Sequence, residues 1–288
     1  MRSGRYWGRR AATAVLLVAL SIAATAGVRE GARSRERVRQ QTSRIRSEAL
    51  SAYLAERGDS RVPDVLVVIP AYNEEDSLRD VLIDVPTKVG GMAVEALVVI
   101  DGATDSTEVV TRSFLTPVVH AMNRGQTAAL VTGYEVAKVI GASVVVTLDA
   151  DGQMVPAEIH KLVGPVVRGE ADLVTGFRTH TGEVVDSVIR TIGIRLYGAL
   201  ASILAGQRIR DPSIGMRAIS LSALSRLALV EERFGAAELL IQASKRNLRI
   251  LEVPVTIRSR SGGESRKPPA FSYGLGFGLA MLRSAARR

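Results

Sequence analysis

An α/β fold built on an open, mostly parallel sheet is what this 288-residue sequence predicts, and three observations predict it. Val65–Ile69, Ala96–Ile100 and Val144–Leu148 are apolar, β-branched runs that read as buried strands. Each run ends in a polar turn rich in Asp, Asn, Glu or Gly. Helical patterns lie between them: Leu78, Val81 and Leu82 form one stripe, and Gln126 to Val139 reads as a second helix. Open α/β sheets bind ligands outside the carboxyl ends of their strands, so the three turns are expected on one functional edge. A hydrophobic content of 47% supplies a core, and the length leaves no room for two full domains.

Taken in order, the chain begins with Arg2, Arg5, Arg9 and Arg10, followed by Ala11 to Val28 without a charge. That stretch is at the lower limit for a membrane span. Ala24, Thr25 and Ala26 would also fit a signal-peptide cleavage site. The seven arginines from Arg29 to Arg46 outweigh the four before the span, which predicts an uncleaved single-pass anchor with the remaining chain in the cytoplasm. A charged, partly helical stalk follows.

The strand from Val65 runs into Pro70, Ala71, Tyr72, Asn73, Glu74 and Glu75. Asn73 is expected to cap the next helix, with Asp76 completing a capping-box variant. After Ile100 come Asp101, Gly102 and Asp105, the last expected to cap a helix. Asn123, Arg124 and Gly125 precede the Gln126 helix and suit either a phosphate contact or a tight turn. Leu148 leads to Asp149, Ala150, Asp151, Gly152 and Gln153. Further on, a strand Asp172 to Thr175 leads to Arg178, and a strand Ile250 to Ile257 leads to a loop with Arg260 and Arg266 around Gly262 and Gly263. Helix Val184 to Ala205 carries Arg190 and Arg195 among apolar residues that could face the core or a bilayer. Phe271 to Leu282 is apolar but too short to span, and fits interfacial contact or packing on the domain equally.

A net charge of +9 points to an anionic partner. Nucleic acid is disfavoured because aromatics are only 4% and the arginines cluster outside the domain, around Arg29 to Arg46 and at Arg283, Arg287 and Arg288. Anionic membrane lipid fits better. With no cysteine, disulfides, thiolate metal sites and cysteine nucleophiles are excluded. Asp149 and Asp151, one residue apart at a sheet rim, suit a hard divalent cation, Mg²⁺ or Mn²⁺, that shares a substrate diphosphate. A solvated acidic turn is the competing explanation of that pair alone.

The segments Val67 to Glu75, Asp101 to Thr107, Asn123 to Ala129, Asp149 to Gln153, Gly176 to Arg178, Asp211 to Arg217 and Glu252 to Arg266 resemble family 2 glycosyltransferases. The resemblance is greatest to the dolichyl-phosphate mannosyltransferase and polyprenyl-phosphate glucosyltransferase branch. It implies a single GT-A-like domain over 64–267, after a basic segment and anchor at 1–28 and a stalk at 29–63, and before a tail at 268–288. It also implies that Pro70, Tyr72 and Glu74 line the donor nucleotide and that Asp101 accepts a hydrogen bond from base or ribose. Ile100 stands where the family has the first of two aspartates. Asp149, Ala150, Asp151 and Gln153 would meet the diphosphate, with Asp149, Asp151 and Gln153 on the cation. Arg178 would face the phosphates, and Arg260 and Arg266 would close over the diphosphate as a lid. Asp211 opens the acceptor-side block, in which Met216 replaces a usual aromatic.

The implied reaction is inverting transfer of a hexose from a GDP-mannose or UDP-glucose type donor to a polyprenyl phosphate at the cytoplasmic membrane face, with Asp149, Asp151, Arg178 and Asp211 as the catalytic set. A phosphate monoester is mostly the dianion at neutral pH and serves as its own nucleophile. Two alternatives stay open: a hydroxyl acceptor with Asp211 as general base, and a non-catalytic membrane scaffold.

Overall fold

The computed structural model describes residues 40–180, 188–230, 234–258 and 270–287. The expected anchor at Ala11 to Val28 and the loop with Arg260 and Arg266 lie outside the described residues. Within them, no helix is long and apolar enough to cross a membrane. Two compact units divide the chain, Met1–Ser47 and Glu48–Arg288. Residues 40–47 of the first are helical, and in the second a helix spans residues 48–57 (α1).

Among the described residues the sheet is built from eight strands. Strand β1 (Val65–Ala71) is buried along its whole length because it pairs in parallel on both sides, with β3 (Met92–Asp101) and β5 (Val144–Thr147). A strand covered on both faces reads as a continuous apolar run, which is what made it visible in the sequence. Register sets Val68 beside Leu97 and Thr147, so the carboxyl ends of the three strands share one edge. Strand β4 (Val118–His120) extends that edge by pairing in parallel with the end of β3, Asp101 opposite His120. The short β2 (Lys88–Val89) forms an antiparallel hairpin with β3.

Beyond β5 the parallel pattern breaks. Strand β7 (Arg217–Ser220) is antiparallel both to β5 and to β6 (Leu173–His180), and β8 (Ile250–Ile257) returns parallel to β6. The sheet is therefore mixed, with the order β2, β3, β1, β5, β7, β6, β8, and the expected parallel pairing holds on the β1 side.

Helices α2 (Leu78–Asp84) and α5 (Ile159–Val167) cover one face, burying Leu78, Val81, Ile159, Leu162 and Val163 against Val67, Val98 and Val146. The opposite face carries α4 (Gln126–Ile140) and α8 (Gly235–Lys245). Gly133 of α4 lets the helix approach β1 so closely that a Cβ there would sit 2.2 Å from Val68 Cγ1. The apolar segment from Phe271, left open between membrane contact and packing, lies in α9 (Ala270–Ala286), which buries Phe277, Ala280 and Met281 and packs against α8 and α6 (Val188–Ala205). Phe277 sits edge-on to Tyr197 of α6 and to Phe234. Leu279 and Leu282 of the same helix face outward.

Helix α1 belongs to the same core. Ala49 and Tyr53 are buried with Leu66 and Leu97, and Arg57 pairs with Glu95 of β3 while donating to the Tyr53 hydroxyl at 3.0 Å. Deleting the chain through Ser47 should lower the stability of the remaining unit less than a deletion that also removes α1. Deleting it through Asp59 removes a buried aromatic and should cost on the order of 3–5 kcal/mol in denaturant unfolding; equal stability of the two truncations would show that α1 is dispensable.

Candidate active site

The strand ends converge on a cavity of about 210 Å³. Pro70, Ala71, Tyr72 and Glu74 enter it from β1, Asp101 from β3, Asn123 and Gln126 from the start of α4, and Asp149, Ala150 and Asp151 from the turn after β5. Of the residues expected to bind a donor, the cavity thus gathers Pro70, Tyr72, Glu74, Asp101, Asp149, Ala150 and Asp151.

The β1 turn departs from expectation. Asn73 caps no helix; it takes the left-handed conformation, with φ of 54°, that Asn tolerates better than most residues. Its side chain bridges to the next turn, accepting from Thr104 N at 2.7 Å and donating to Thr104 Oγ1 at 3.2 Å. Helix α2 instead starts at Leu78, after Ser77. The Ser77 hydroxyl lies 2.8 Å from the Ala150 carbonyl and 3.1 Å from Glu74 Oε2, tying both the Asp149 turn and a cavity residue to the start of α2. Asp105 does serve the first turn of α3 (Thr107–Arg112), accepting from Thr107 N at 3.0 Å.

Asp101 is built into the cavity wall. Oδ1 accepts from His120 Nδ1 at 2.8 Å and Arg124 N at 3.0 Å, while Oδ2 accepts from Arg124 N at 3.0 Å and Gly125 N at 2.6 Å. Three donors, one of them the Arg124 N–H shared between both oxygens, thus engage this carboxylate, so in this geometry Asp101 shapes the site by holding the Arg124–Gly125 backbone.

Asp149 receives a hydrogen bond from Gln126 Nε2 at 2.7 Å, and Asp151 accepts from Gln153 N at 3.1 Å, which closes the turn. Gln153 projects its amide toward the Arg258 carbonyl at 3.5 Å and is absent from the residues lining the cavity. Among the described residues no three His, Cys, Asp or Glu side chains gather into a metal cluster. The donor set at Asp149 and Asp151 is nevertheless all-oxygen and fits a hard cation that fills its other positions with phosphate oxygens and water. Gly215 keeps the space beside Asp149 open: a Cβ there would lie 2.6 Å from Oδ1 and 2.7 Å from Oδ2.

Across β7 lies a second cluster. Arg178 sits inside β6, longer than the sequence predicted, and its Nε meets Asp211 Oδ2 at 2.6 Å. Its Nη2 donates to Ser213 Oγ at 3.0 Å, and Ser213 Oγ also bonds Asp211 Oδ1 at 2.8 Å. Glu252 Oε1 accepts from Arg210 N at 2.8 Å, and its carboxyl is pushed up by burial, with nearby Asp211 acting in the same direction. Met216, where the family has an aromatic, is fully buried in the core rather than exposed in the site.

Beneath both clusters is Arg217, 3% exposed. Nη2 donates to the Pro212 carbonyl at 2.8 Å and Nη1 to the Ala236 carbonyl. Burial pulls its guanidinium down to about 10, opposed by the fields of Tyr134, Asp211, Asp149 and Glu252, so it remains a cation at neutral pH.

Sequence reasoning missed Gln126, Ser77, Gly215 and the burial of Arg217. Each lies within or beside a recognised segment, and its role depends on a contact far along the chain. Gly215→Ala tests one such contact. The added methyl must displace the Asp149 carboxylate, so Mn²⁺ binding measured by electron paramagnetic resonance should weaken about 10-fold or more while the melting temperature stays within a few degrees. Unchanged binding would show that Asp149 tolerates the displacement.

The family model described as Glycosyl transferase family 2 matches residues 66–229. Dolichyl-phosphate hexose transferase of Haloferax volcanii is 30% identical over 222 residues, 76% of this chain and 93% of the relative. UDP-N-acetylglucosamine--dolichyl-phosphate N-acetylglucosaminyltransferase of Methanococcus voltae is 28% identical over 214 residues, 66% of this chain and 84% of the relative. Among solved structures, glucosyl-3-phosphoglycerate synthase from Mycobacterium tuberculosis in complex with Mn²⁺, UDP and phosphoglyceric acid aligns with a TM-score of 0.61 at 21% identity, covering 83% of each chain. At that identity the match speaks to the fold.

Proposed function

The chain belongs to glycosyl transferase family 2, and from that premise we propose that it transfers a hexose, with inversion, from a nucleoside diphosphate sugar of the GDP-mannose or UDP-glucose type to a polyprenyl phosphate. The observation that carries the reading is the placement of Asp149 and Asp151 in one cavity with Tyr72 and Glu74. The names of the Haloferax and Methanococcus relatives support a polyprenyl-phosphate acceptor.

Tyr72 offers a face to the base, and Glu74, steadied by Ser77, offers an acceptor to hydroxyls or base N–H groups. Asp149 and Asp151 would hold a divalent cation, Mg²⁺ or Mn²⁺, which when bound neutralises the charge growing on the leaving diphosphate. Arg178 is set in place by Asp211 and Ser213 and directs its guanidinium to phosphate, where a planar fork suits two oxygens. Arg260 and Arg266, assigned from the sequence, add charge at the same phosphates. The acceptor dianion brings its own nucleophile, so no side chain has to remove a proton.

The geometry of Asp211 favours this reading over a hydroxyl acceptor. Both of its oxygens accept hydrogen bonds, one from a guanidinium 2.6 Å away, which is the environment of an orienting group rather than of a free base. Membrane attachment through Ala11 to Val28, with the domain on the cytoplasmic side near anionic lipid, would bring the enzyme to an acceptor embedded in the bilayer.

Membranes from expressing cells, incubated with labelled UDP- or GDP-sugars and Mg²⁺ or Mn²⁺, should yield label in a phosphate-linked, mild-acid-labile lipid. Asp151→Asn should lower that transfer about 10²- to 10³-fold without unfolding the domain, and excess EDTA should stop it. Transfer that persists in EDTA would sink the cation assignment, and label found only in acid-stable glycoside would favour the hydroxyl acceptor. Asp211→Asn separates the two acceptors kinetically. Loss of Arg178 orientation should raise KM for the lipid phosphate, whereas a missing base would depress kcat with KM unchanged.

A further inference from the structure

Gln126 is the first residue of a fifteen-residue helix, and its side chain reaches back across the cavity to the turn after β5. Nε2 donates to Asp149 Oδ1 at 2.7 Å. The residue is exposed, and ordering a long amide side chain at such a position costs rotamer entropy for a bond that adds little to folding. Its backbone, in contrast, is fixed on both sides. The N–H groups of Arg124 and Gly125 are held by Asp101, and Thr127 Oγ1 accepts from Gly235 N at 3.0 Å. A Cβ on Gly235 would come within 2.5 Å of Thr127 Cγ2, so these two helix starts are closely apposed. Gln126 therefore projects from a rigid base to one carboxylate of the site.

Gly215 lies beside the same carboxylate and, having no side chain, leaves it room: a Cβ there would come within 2.6 Å of Oδ1. The Gln126 bond to Oδ1 is made in the space that this glycine keeps open. An amide suits this role better than a charged group: it donates to Asp149 without neutralising it, as a lysine would, and without repelling it, as a glutamate would. A carboxylate oxygen has a second lone pair for a cation while the first accepts from the amide.

We propose that Gln126 is the positioning residue for Asp149, the outer partner that holds this carboxylate in the orientation in which it takes a divalent cation together with a nucleoside diphosphate. The inference rests on the cation reading of Asp149 and Asp151 given above. It also ties the two ends of the donor site together, because the loop that carries Gln126 is the one clamped by Asp101.

The test measures Mn²⁺ binding by electron paramagnetic resonance to the full-length protein in detergent, with UDP present, for wild type, Gln126→Ala, Gln126→Met and Asp151→Asn. Gln126→Met keeps the length of the side chain but cannot donate. Both Gln126 variants should bind Mn²⁺ about 10-fold or more weakly, the scale for loss of an outer-sphere partner, with melting temperatures equal to wild type. Loss in Gln126→Ala with full affinity in Gln126→Met would show that the side chain only fills space, and would overturn the inference. So would wild-type affinity in both variants while Asp151→Asn loses the ion, an outcome that leaves the cation reading standing. If Asp151→Asn binds Mn²⁺ as wild type does, the cation reading itself fails and the role of Gln126 falls with it. A fall in melting temperature that parallels the lost affinity in both Gln126 variants would reassign the contact to folding.

Discussion

A cation buried beneath three carboxylates is the constraint on which this site depends. Arg217 lies on β7, opposite Thr147 of β5 and Thr175 of β6, and so sits under the boundary between the two clusters. Burying an unpaired charge is costly, and Nε of this guanidinium finds no hydrogen-bond partner. Its retention is best explained by the fields of Asp211, Asp149 and Glu252, which oppose the effect of burial. The relation is mutual. Without Arg217, the buried Asp211 and the half-buried Asp149 and Glu252 would lose a common positive field, so the cation allows acidic groups to be concentrated at the rim.

The antiparallel insertion of β7 creates this arrangement. A parallel strand beside β5 would send its own carboxyl end, with another turn, to the same edge. An antiparallel one sends its amino end there, so the preceding segment from Asp211 to Met216 is laid against the turn after β5. Thr147 Oγ1 hydrogen-bonds the Gly215 carbonyl, and Gly215 borders Asp149. Asp211 and Ser213 in the same segment orient Arg178. One short loop therefore touches both the Asp149 carboxylate and the Arg178 guanidinium, and links their positions without a long-range conformational device.

The parts legible in the sequence were those whose signal is local. Buried parallel strands announce themselves as apolar runs, and the turns that follow them contain Tyr72, Glu74, Asp101, Asp149 and Asp151, whose roles the family resemblance implies. The parts that escaped depend on partners distant in the chain. Asn73 carries the composition of a cap, yet its amide is taken by Thr104, 31 residues away. Strand β7 is four residues long and contains a charged residue that reads as solvated until the carboxylates around it are placed. Strand β6 continues through Gly176 and Arg178 because β8 pairs with it along its full length, a tertiary cause that propensity does not express. Gln126 looks like any helix-starting polar residue until Asp149 is brought opposite.

The departure at Ile100 follows from the same geometry. Successive residues of a strand face opposite sides of the sheet, so positions 100 and 101 cannot both serve one cavity wall by pointing the same way. Ile100 is 1% exposed and packs with Leu78 and Val81 on the α2 side, in register with Ala71 and Val119. A carboxylate there would lack polar partners in an apolar layer, at a cost of several kcal/mol. Asp101 faces the α4 side, where His120 joins it to Thr132 and the loop amides of Arg124 and Gly125 complete its hydrogen bonds. Asp101 therefore holds the Arg124–Gly125 backbone at this wall of the cavity. Because the backbone it holds leads into Gln126, which donates to Asp149, loosening Asp101 would be felt at Asp149, a connection that runs through the three residues Arg124, Gly125 and Gln126 rather than through a ligand.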